Sequence, residues 1–307
     1  MSGMPDDAFF AQEADDRDRR PMPGRSALRW PDGRPLALAF VVSAEYYELD
    51  PPADACLPRN VPGGFGRAPY PDFRAYSYRE YGNRVGIFRV IEAFDKAGLR
   101  ATLAVDAMTA QTRRIIVDEC VARNWEVAAH GVAATRTISS RLSRDEEAAM
   151  IARSVGAVRD ACGRAPLGWH GTEYGQSRIT PELLCAHGIG YQLDSPDDEQ
   201  PCELRTAAGP LVSLPMSIDL DDVFSYWHRK VPMHKWCRAI VAAAATLSGE
   251  DRPSGRVLIV NLHPWLIGQA SRIGWLEEVL AGLREMPGVW FATAGEIYEE
   301  YRALRSP

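Results

Sequence analysis

The feature that most constrains this chain is a regular alternation of two patterns. Short apolar runs such as Leu36-Ala-Leu-Ala-Phe-Val-Val42 and Val257-Leu-Ile-Val-Asn-Leu262 are followed by stretches with helical periodicity. Strands alternating with helices of about 10–15 residues imply right-handed crossovers and a parallel sheet. The apolar runs lack strict polar alternation, which suits strands covered on both faces. About seven or eight such units in some 270 residues predict a single (β/α) barrel rather than an open sheet. Strands are expected at 36–42, 100–105, 125–129, 166–169, 190–193, 211–214, 257–262 and 289–292. Helices are expected at 84–97, 109–123, 144–162, 181–187, 233–247, 274–285 and 295–304. Ser143 and Glu146 have the spacing of a capping box for the helix at 144–162. A Pro-, Gly- and Tyr-rich loop at 51–79 is long enough to be functional. Residues 1–28 are charged, contain proline and lack apolar periodicity, so they read as a flexible tail ahead of one domain at 29–307.

Composition narrows the partners. With 46% hydrophobic and 25% charged residues the chain is ordinary globular material, and 41 acidic against 35 basic residues give a net charge of −6. A nucleic-acid partner would need a clustered basic face, so none is expected. No apolar run approaches the roughly 20 residues that span a bilayer, and no basic-then-apolar export pattern opens the chain. Membrane association is therefore not expected, and the location reads as cytoplasmic. The cysteines Cys56, Cys120, Cys162, Cys185, Cys202 and Cys237 stand singly, without zinc-site spacing, and read as reduced thiols. Neither a Gly-x-Gly-x-x-Gly nor a Walker-type loop is present, so nucleotide-binding folds have nothing to rest on.

In a (β/α) barrel the chemistry sits at the C-terminal ends of the strands. Applied as a filter, this rule selects Ser43 and Glu45, Asp106, His130, His170 with Glu173, Asp194, and His263. Three histidines and several carboxylates on one rim suit general acid–base hydrolysis or a divalent metal. The other histidines carry less: His187 follows a helix, where a cation meets the C-terminal dipole. His228 and His234 flank Trp227 in a segment that could contact substrate or a second subunit.

Several strings resemble the polysaccharide deacetylase superfamily, and within it the branch of metal-independent allantoinases and cyclic imide hydrolases. They are WPDGR at 30–34, REYGNRVGIFRV from Arg79 to Val90, AAHG at 128–131, APLGW at 165–169, LDS at 193–195, and NLHPWLIGQASRIGWLE from Asn261 to Glu277. The resemblance implies an α/β fold, a distorted (β/α)7 barrel forming a single domain. Metal-dependent members look like Thr-Phe-Asp-Asp-Gly at the end of the first strand, where this chain has Phe40-Val41-Val42. After the third strand they carry His-Ser/Thr-x-x-His, of which His130 remains and Ala134 replaces the second histidine. A catalytic metal usually needs at least three protein ligands, so by this count the inherited site is lost. The allantoinase-like branch instead has a Glu just after the first strand, matched by Glu45, and an acidic residue matched by Asp194. At 170–177 this chain reads HGTEYGQS where the branch resembles Tyr-Thr-Gly-Arg-Thr-Ser, so a substrate other than allantoin is expected.

The expected activity is hydrolysis of a non-peptide carbon–nitrogen bond in a cyclic imide, ureide or related small amide, without metal. Glu45 would orient or deprotonate water, His263 would serve as the second acid–base group, and His130 would donate to the oxyanion. Tyr81 and Trp169 would cover a flat ring, with His170, Glu173 and Asp194 binding its polar edges. No cofactor is expected, with a divalent metal such as zinc as the alternative in an N-deacetylase with rearranged ligands. A non-catalytic barrel that binds a small ligand is a third reading, and a homo-oligomer is expected from the resemblance.

Overall fold

The computed structural model describes residues 22, 25, 27–53, 55, 71–249 and 254–305. Strand β1 (Leu36–Ala44) leads to α1 (Phe73–Tyr81), a π-helical stretch over Gly82–Gly86, and α2 (Ile87–Ala97). Next come β2 (Thr102–Val105), α3 (Ala107–Thr112), α4 (Arg114–Ala122), β3 (Glu126–Ala129), α5 (Arg144–Cys162), β4 (Gly168–Trp169), α6 (Thr180–Ala186) and β5 (Tyr191–Gln192). A hairpin of β6 (Cys202–Thr206) and β7 (Gly209–Ser213) is followed by a π-helical turn at Val223–His228 and α7 (Met233–Leu247). The chain ends with β8 (Arg256–Leu262), the short α8 (Pro264–Ile267), α9 (Ile273–Arg284), β9 (Val289–Phe291) and α10 (Ala294–Arg305).

The sheet order is β6-β7-β5-β4-β3-β2-β1-β8. All pairs are parallel except the β6–β7 hairpin, and β9 pairs with the first residues of β1. This is the distorted barrel expected, open between β8 and the β6–β7 hairpin. Two single bonds bridge the seam: Ser217 N–H to the Ile259 carbonyl at 2.9 Å, and Val257 N–H to the Glu199 carbonyl at 2.8 Å.

Strand alternation decides which side chains reach the interior. On β1, Leu36, Leu38, Phe40, Val42 and Ala44 face the outer helices. Ala37, Ala39 and Val41 line a smaller inner core, which α10 closes from below with Ile297 and Tyr301. Toward the strand ends the inward face turns polar, at Ser43 on β1 and Asn261 on β8, which places a polar site at the upper rim.

The capping box at Ser143 and Glu146 is present. The expected helix at 109–123 is two, because Arg113 leaves the helical region (φ −131°) and pairs with Glu80 at 2.7 Å. Most of the expected tail lies outside the described residues. Of its end, Leu28 is buried, its N–H donating to Ser254 Oγ (2.8 Å) and its carbonyl accepting from Gly255 N–H (2.7 Å). The five described cysteines are free thiols, and Cys56 lies outside the described residues. No described helix is long and apolar enough to cross a membrane.

Candidate active site

Glu45 continues the inward face of β1 two residues after Ser43 and is buried. Its backbone carbonyl accepts from Asn83 Nδ2 (2.7 Å), its Oε2 from the Tyr47 hydroxyl (3.1 Å), and its Oε1 lies 3.4 Å from His130 Nε2. Asn83 belongs to the π-helical stretch, which lies backbone to backbone on the segment after β8. A Cβ on Gly82 would stand 2.6 Å from Trp265 N, and one on Gly86 2.1 Å from the Pro264 carbonyl oxygen. The YGNRVG and HPW strings are thus two halves of one contact that sets Glu45 and His263 in register.

His130 ends β3. Its Nδ1 faces the His170 carbonyl at 2.7 Å and must therefore donate, which leaves Nε2 for Glu45. Its ring stacks on His170 with centroids 4.6 Å apart. Burial alone would drive the His130 pKa down, but the hydrogen bond and charge of Glu45 raise it. His170 shows the opposite result. Burial, followed by the charge of His130, pushes it well below the ordinary range. It is a neutral imidazole whose Nδ1–H donates to Asp194 Oδ1 (3.0 Å). Asp194 also accepts the Gly171 N–H (2.7 Å), and burial lifts it to about 7. Asp106 caps α3 through the Thr109 N–H (2.7 Å), and burial likewise lifts it to about 7.

The strongest polarisation is at the end of β8. His263 Nδ1–H donates to Asp222 Oδ1 at 2.7 Å, and Asp222 also takes the His263 backbone N–H. Burial opposes charge on His263, yet Asp221, Asp222 and Glu45 lift it to about 10, so the imidazolium prevails at neutral pH. In return the charges of His263, His130 and Arg79, with the His130 hydrogen bond, overcome burial and hold Glu45 at about 2. Asp221 ties the floor together. It accepts from the Val223 and Phe224 N–H groups (2.8 and 3.0 Å) and from Tyr174 Oη and Asn261 Nδ2 (both 2.9 Å). Asn261 Oδ1 in turn accepts from Ser43 Oγ at 2.9 Å.

Glu45, His130, His170 and His263 therefore meet as the strand-end rule predicts. Glu173 stands at the rim with Tyr174, both in the left-handed region (φ 54° and 57°), a strain that side chains other than glycine tolerate mostly at functional positions. Burial and the nearby Glu45 charge raise the Glu173 pKa. Three expectations need correction. Trp169 is fully enclosed in the outer core, because β4 alternation turns it toward the helices and His170 inward, so it cannot cover a substrate. Asp194 is committed to His170 and Gly171 and acts behind the ring rather than on a ligand. Tyr81 is engaged by Arg89 through both its hydroxyl and its ring face. Tyr47, Trp265, Tyr78 and Trp227 form an aromatic wall packed behind the site, with Arg79 stacked on the first two. Trp227 packs inside the chain against Tyr78 and Trp265.

Sequence reasoning did not single out Asp221, Asp222, Tyr47 or Arg79. Arg79 and Asn261 stood at the ends of quoted strings, whereas the adjacent aspartates lie in a connection with no strand pattern.

Whether these residues fit a metal can be tested on their lone pairs. Asp221, Asp222 and His263 are, among the described residues, a group whose ligand atoms lie within 4.8 Å of one another. A carboxylate offers about four acceptor positions, and those of Asp221 meet four protein donors. The Nδ1 of His263 carries a proton directed at Asp222. A cation held through Nδ1 would have to displace that proton and compete with the four donors on Asp221, whereas Asp222, among the described residues, accepts from His263 alone. Ala134 offers no ligand, and its N–H donates to the Tyr46 carbonyl at 3.0 Å.

No family model matches the chain. A peptidoglycan deacetylase of Helicobacter pylori is 30% identical over 129 residues, which are 42% of this chain and 43% of that protein. The chain thus matches less than half the length of this curated relative. Among solved structures, the Puue allantoinase superposes with a TM-score of 0.81 at 21% identity, covering 94% of this chain and 98% of that one. A structure from Mycobacterium smegmatis assigned to the polysaccharide deacetylases gives 0.76 at 25% identity, over 92% and 96% of the two chains. One from Pseudomonas aeruginosa with the same assignment gives 0.77 at 22%, over 94% and 99%. In fold over nearly its whole length the chain is similar to structures assigned to the polysaccharide deacetylases and to an allantoinase, and in sequence over the matched stretch it is similar to a peptidoglycan deacetylase.

Proposed function

We propose that this protein is a hydrolase that opens a cyclic imide, ureide or related small amide at a non-peptide C–N bond, by general acid–base catalysis without a metal. One observation carries the reading: a His263–Asp222 dyad at 2.7 Å shares a buried rim with Glu45 and His130. The likeness to the allantoinase structure supports the ring-opening chemistry, and the four protein donors on Asp221 support the metal-free route.

In this mechanism Glu45 positions water and takes its proton as the new C–O bond forms at the carbonyl carbon. As Glu45 takes up the water proton, His130 Nε2–H turns from Glu45 to the oxyanion, a contribution of roughly 3–4 kcal/mol for a well-placed donor. Collapse breaks the C–N bond while His263 passes its Nε2 proton to the leaving nitrogen. The low pKa of Glu45 is no obstacle, because it depends partly on the His263 charge. Once His263 gives up its proton, Glu45 holds the one it took more readily, and proton return restores the pair. The neutral His170 and the Glu173 carboxyl face the ring's polar edge. The five free thiols among the described residues suit a reducing cytoplasm, and oligomeric assembly is part of the same proposal.

Turnover of cyclic imides, hydantoins and N-acetylated sugars by wild type, His263→Ala and Glu45→Gln tests this function. Ring substrates should be hydrolysed, and each variant should lose about 10²–10⁴-fold in kcat. Unchanged rates in both variants would remove these residues from the mechanism, and exclusive turnover of N-acetylated sugars would select the deacetylase alternative.

A further inference from the structure

Arg79 occupies an unusual position. It is 7% exposed, and arginine is rarely buried unless paired. Among the described residues it makes no ion pair, and its Nε is buried without a hydrogen-bond partner. Its guanidinium carbon lies 4.3 Å from the centroid of the Tyr47 ring and 4.9 Å from that of Trp265. Both rings belong to the site: the Tyr47 hydroxyl holds Glu45, and Trp265 follows His263 by two residues.

Two aromatic neighbours cover and orient the plane of the guanidinium. Its hydrogen-bonding capacity is then confined to the edges, where parallel N–H groups match a planar two-oxygen acceptor. Glu45 and Glu173 feel the Arg79 charge, but among the described residues neither forms an ion pair with it. A neutral carbonyl oxygen would use half of the fork.

We infer that Arg79 is a carboxylate receptor in the candidate active site, so that the ring substrate carries its own carboxylate beside the bond to be cut. This rests on the ring-hydrolysis reading, which it sharpens: the preferred substrate is an anionic ring acid rather than an unsubstituted imide. The aromatic wall positions the receptor, and α1 carries it to the rim from the same helical run that holds Glu45 through Asn83.

The test compares kcat/KM for a hydantoin bearing an acetate side chain with that for its primary amide, using wild type, Arg79→Lys and Arg79→Gln. Wild type should prefer the acid by about 10–100-fold, the range of a charge-assisted bond. The lysine variant should keep part of that ratio, and the glutamine variant should bring it near one. An acid-to-amide ratio near one in wild type overturns the inference while leaving ring hydrolysis standing, and this arm needs no variant to fold. If no ring is turned over, the hydrolase reading fails on its own. Calorimetry with the ring-opened N-carbamoyl diacid and its monoamide then decides the receptor. Diacid-selective binding by wild type supports it, and equal binding refutes it.

Discussion

Replacing Asp222 by asparagine keeps the shape of the side chain and removes the charge nearest His263. The contact is short, Nδ1 to Oδ1 at 2.7 Å, and both residues are buried, so solvent screens it little. The difference between about 10 for His263 and the ordinary 6.5 of histidine corresponds to roughly 5 kcal/mol in favour of the imidazolium. Asp221 lies farther off at 4.0 Å and shares that effect with Asp222 and Glu45. An opposite charge within hydrogen-bond reach shifts a pKa by about 1–3 units, so Asp222→Asn should bring His263 down to roughly 7–9. If His263 is the proton donor, the alkaline limb of kcat/KM lies near pH 10 in wild type and moves down by the same amount. NMR titration of the His263 ring provides a readout independent of turnover. The linkage sign follows: a raised histidine pKa stabilises the fold fully below 6.5, and that contribution is lost as pH rises through about 10. The variant should therefore keep that dependence only up to its own pKa of roughly 7–9 and lose the part between there and about 10 in urea titrations. An alkaline limb and a ring titration that both stay in place would refute the reasoning.

Further expectations follow from the packing and the buried acids. Gly86→Ala places a Cβ 2.1 Å from the Pro264 carbonyl oxygen, and should cost about 1–3 kcal/mol by urea unfolding together with much of the turnover. Trp169→Ala should cost about 3–5 kcal/mol of stability, measured the same way, because its ring is core rather than binding surface. Asp106, raised by burial to about 7, stabilises the fold fully below 3.8 and loses that contribution as pH rises through 7. Asp106→Asn retains a good helix cap, so its urea midpoint should vary less than that of wild type between pH 4 and 7.

Much of the site was legible because strands impose a period of two and a direction. His130, His170 and His263 each follow a run of apolar residues, and the barrel rule places such residues on one rim. The same period would have corrected Trp169, since neighbours on a strand face opposite sides and His170 already claims the interior. Asp222 was not legible, being 41 residues before its partner in a connection without periodicity. The β6 strand escaped notice because CELRT alternates charge with isolated apolar residues on an edge hairpin. Helix α1 escaped for a different reason. FRAYSYREY has no apolar stripe, and its place is set by aromatic contacts of Tyr78 with Trp227 and Trp265.

The central claim is that this chain's own acid–base groups suffice for C–N bond hydrolysis. Its most direct test is the rate of cyclic imide hydrolysis by protein treated with chelator, with metal content verified by elemental analysis. The account predicts the full rate in metal-free protein and no increase when zinc is added. A rate that disappears with the metal and returns with zinc would contradict it.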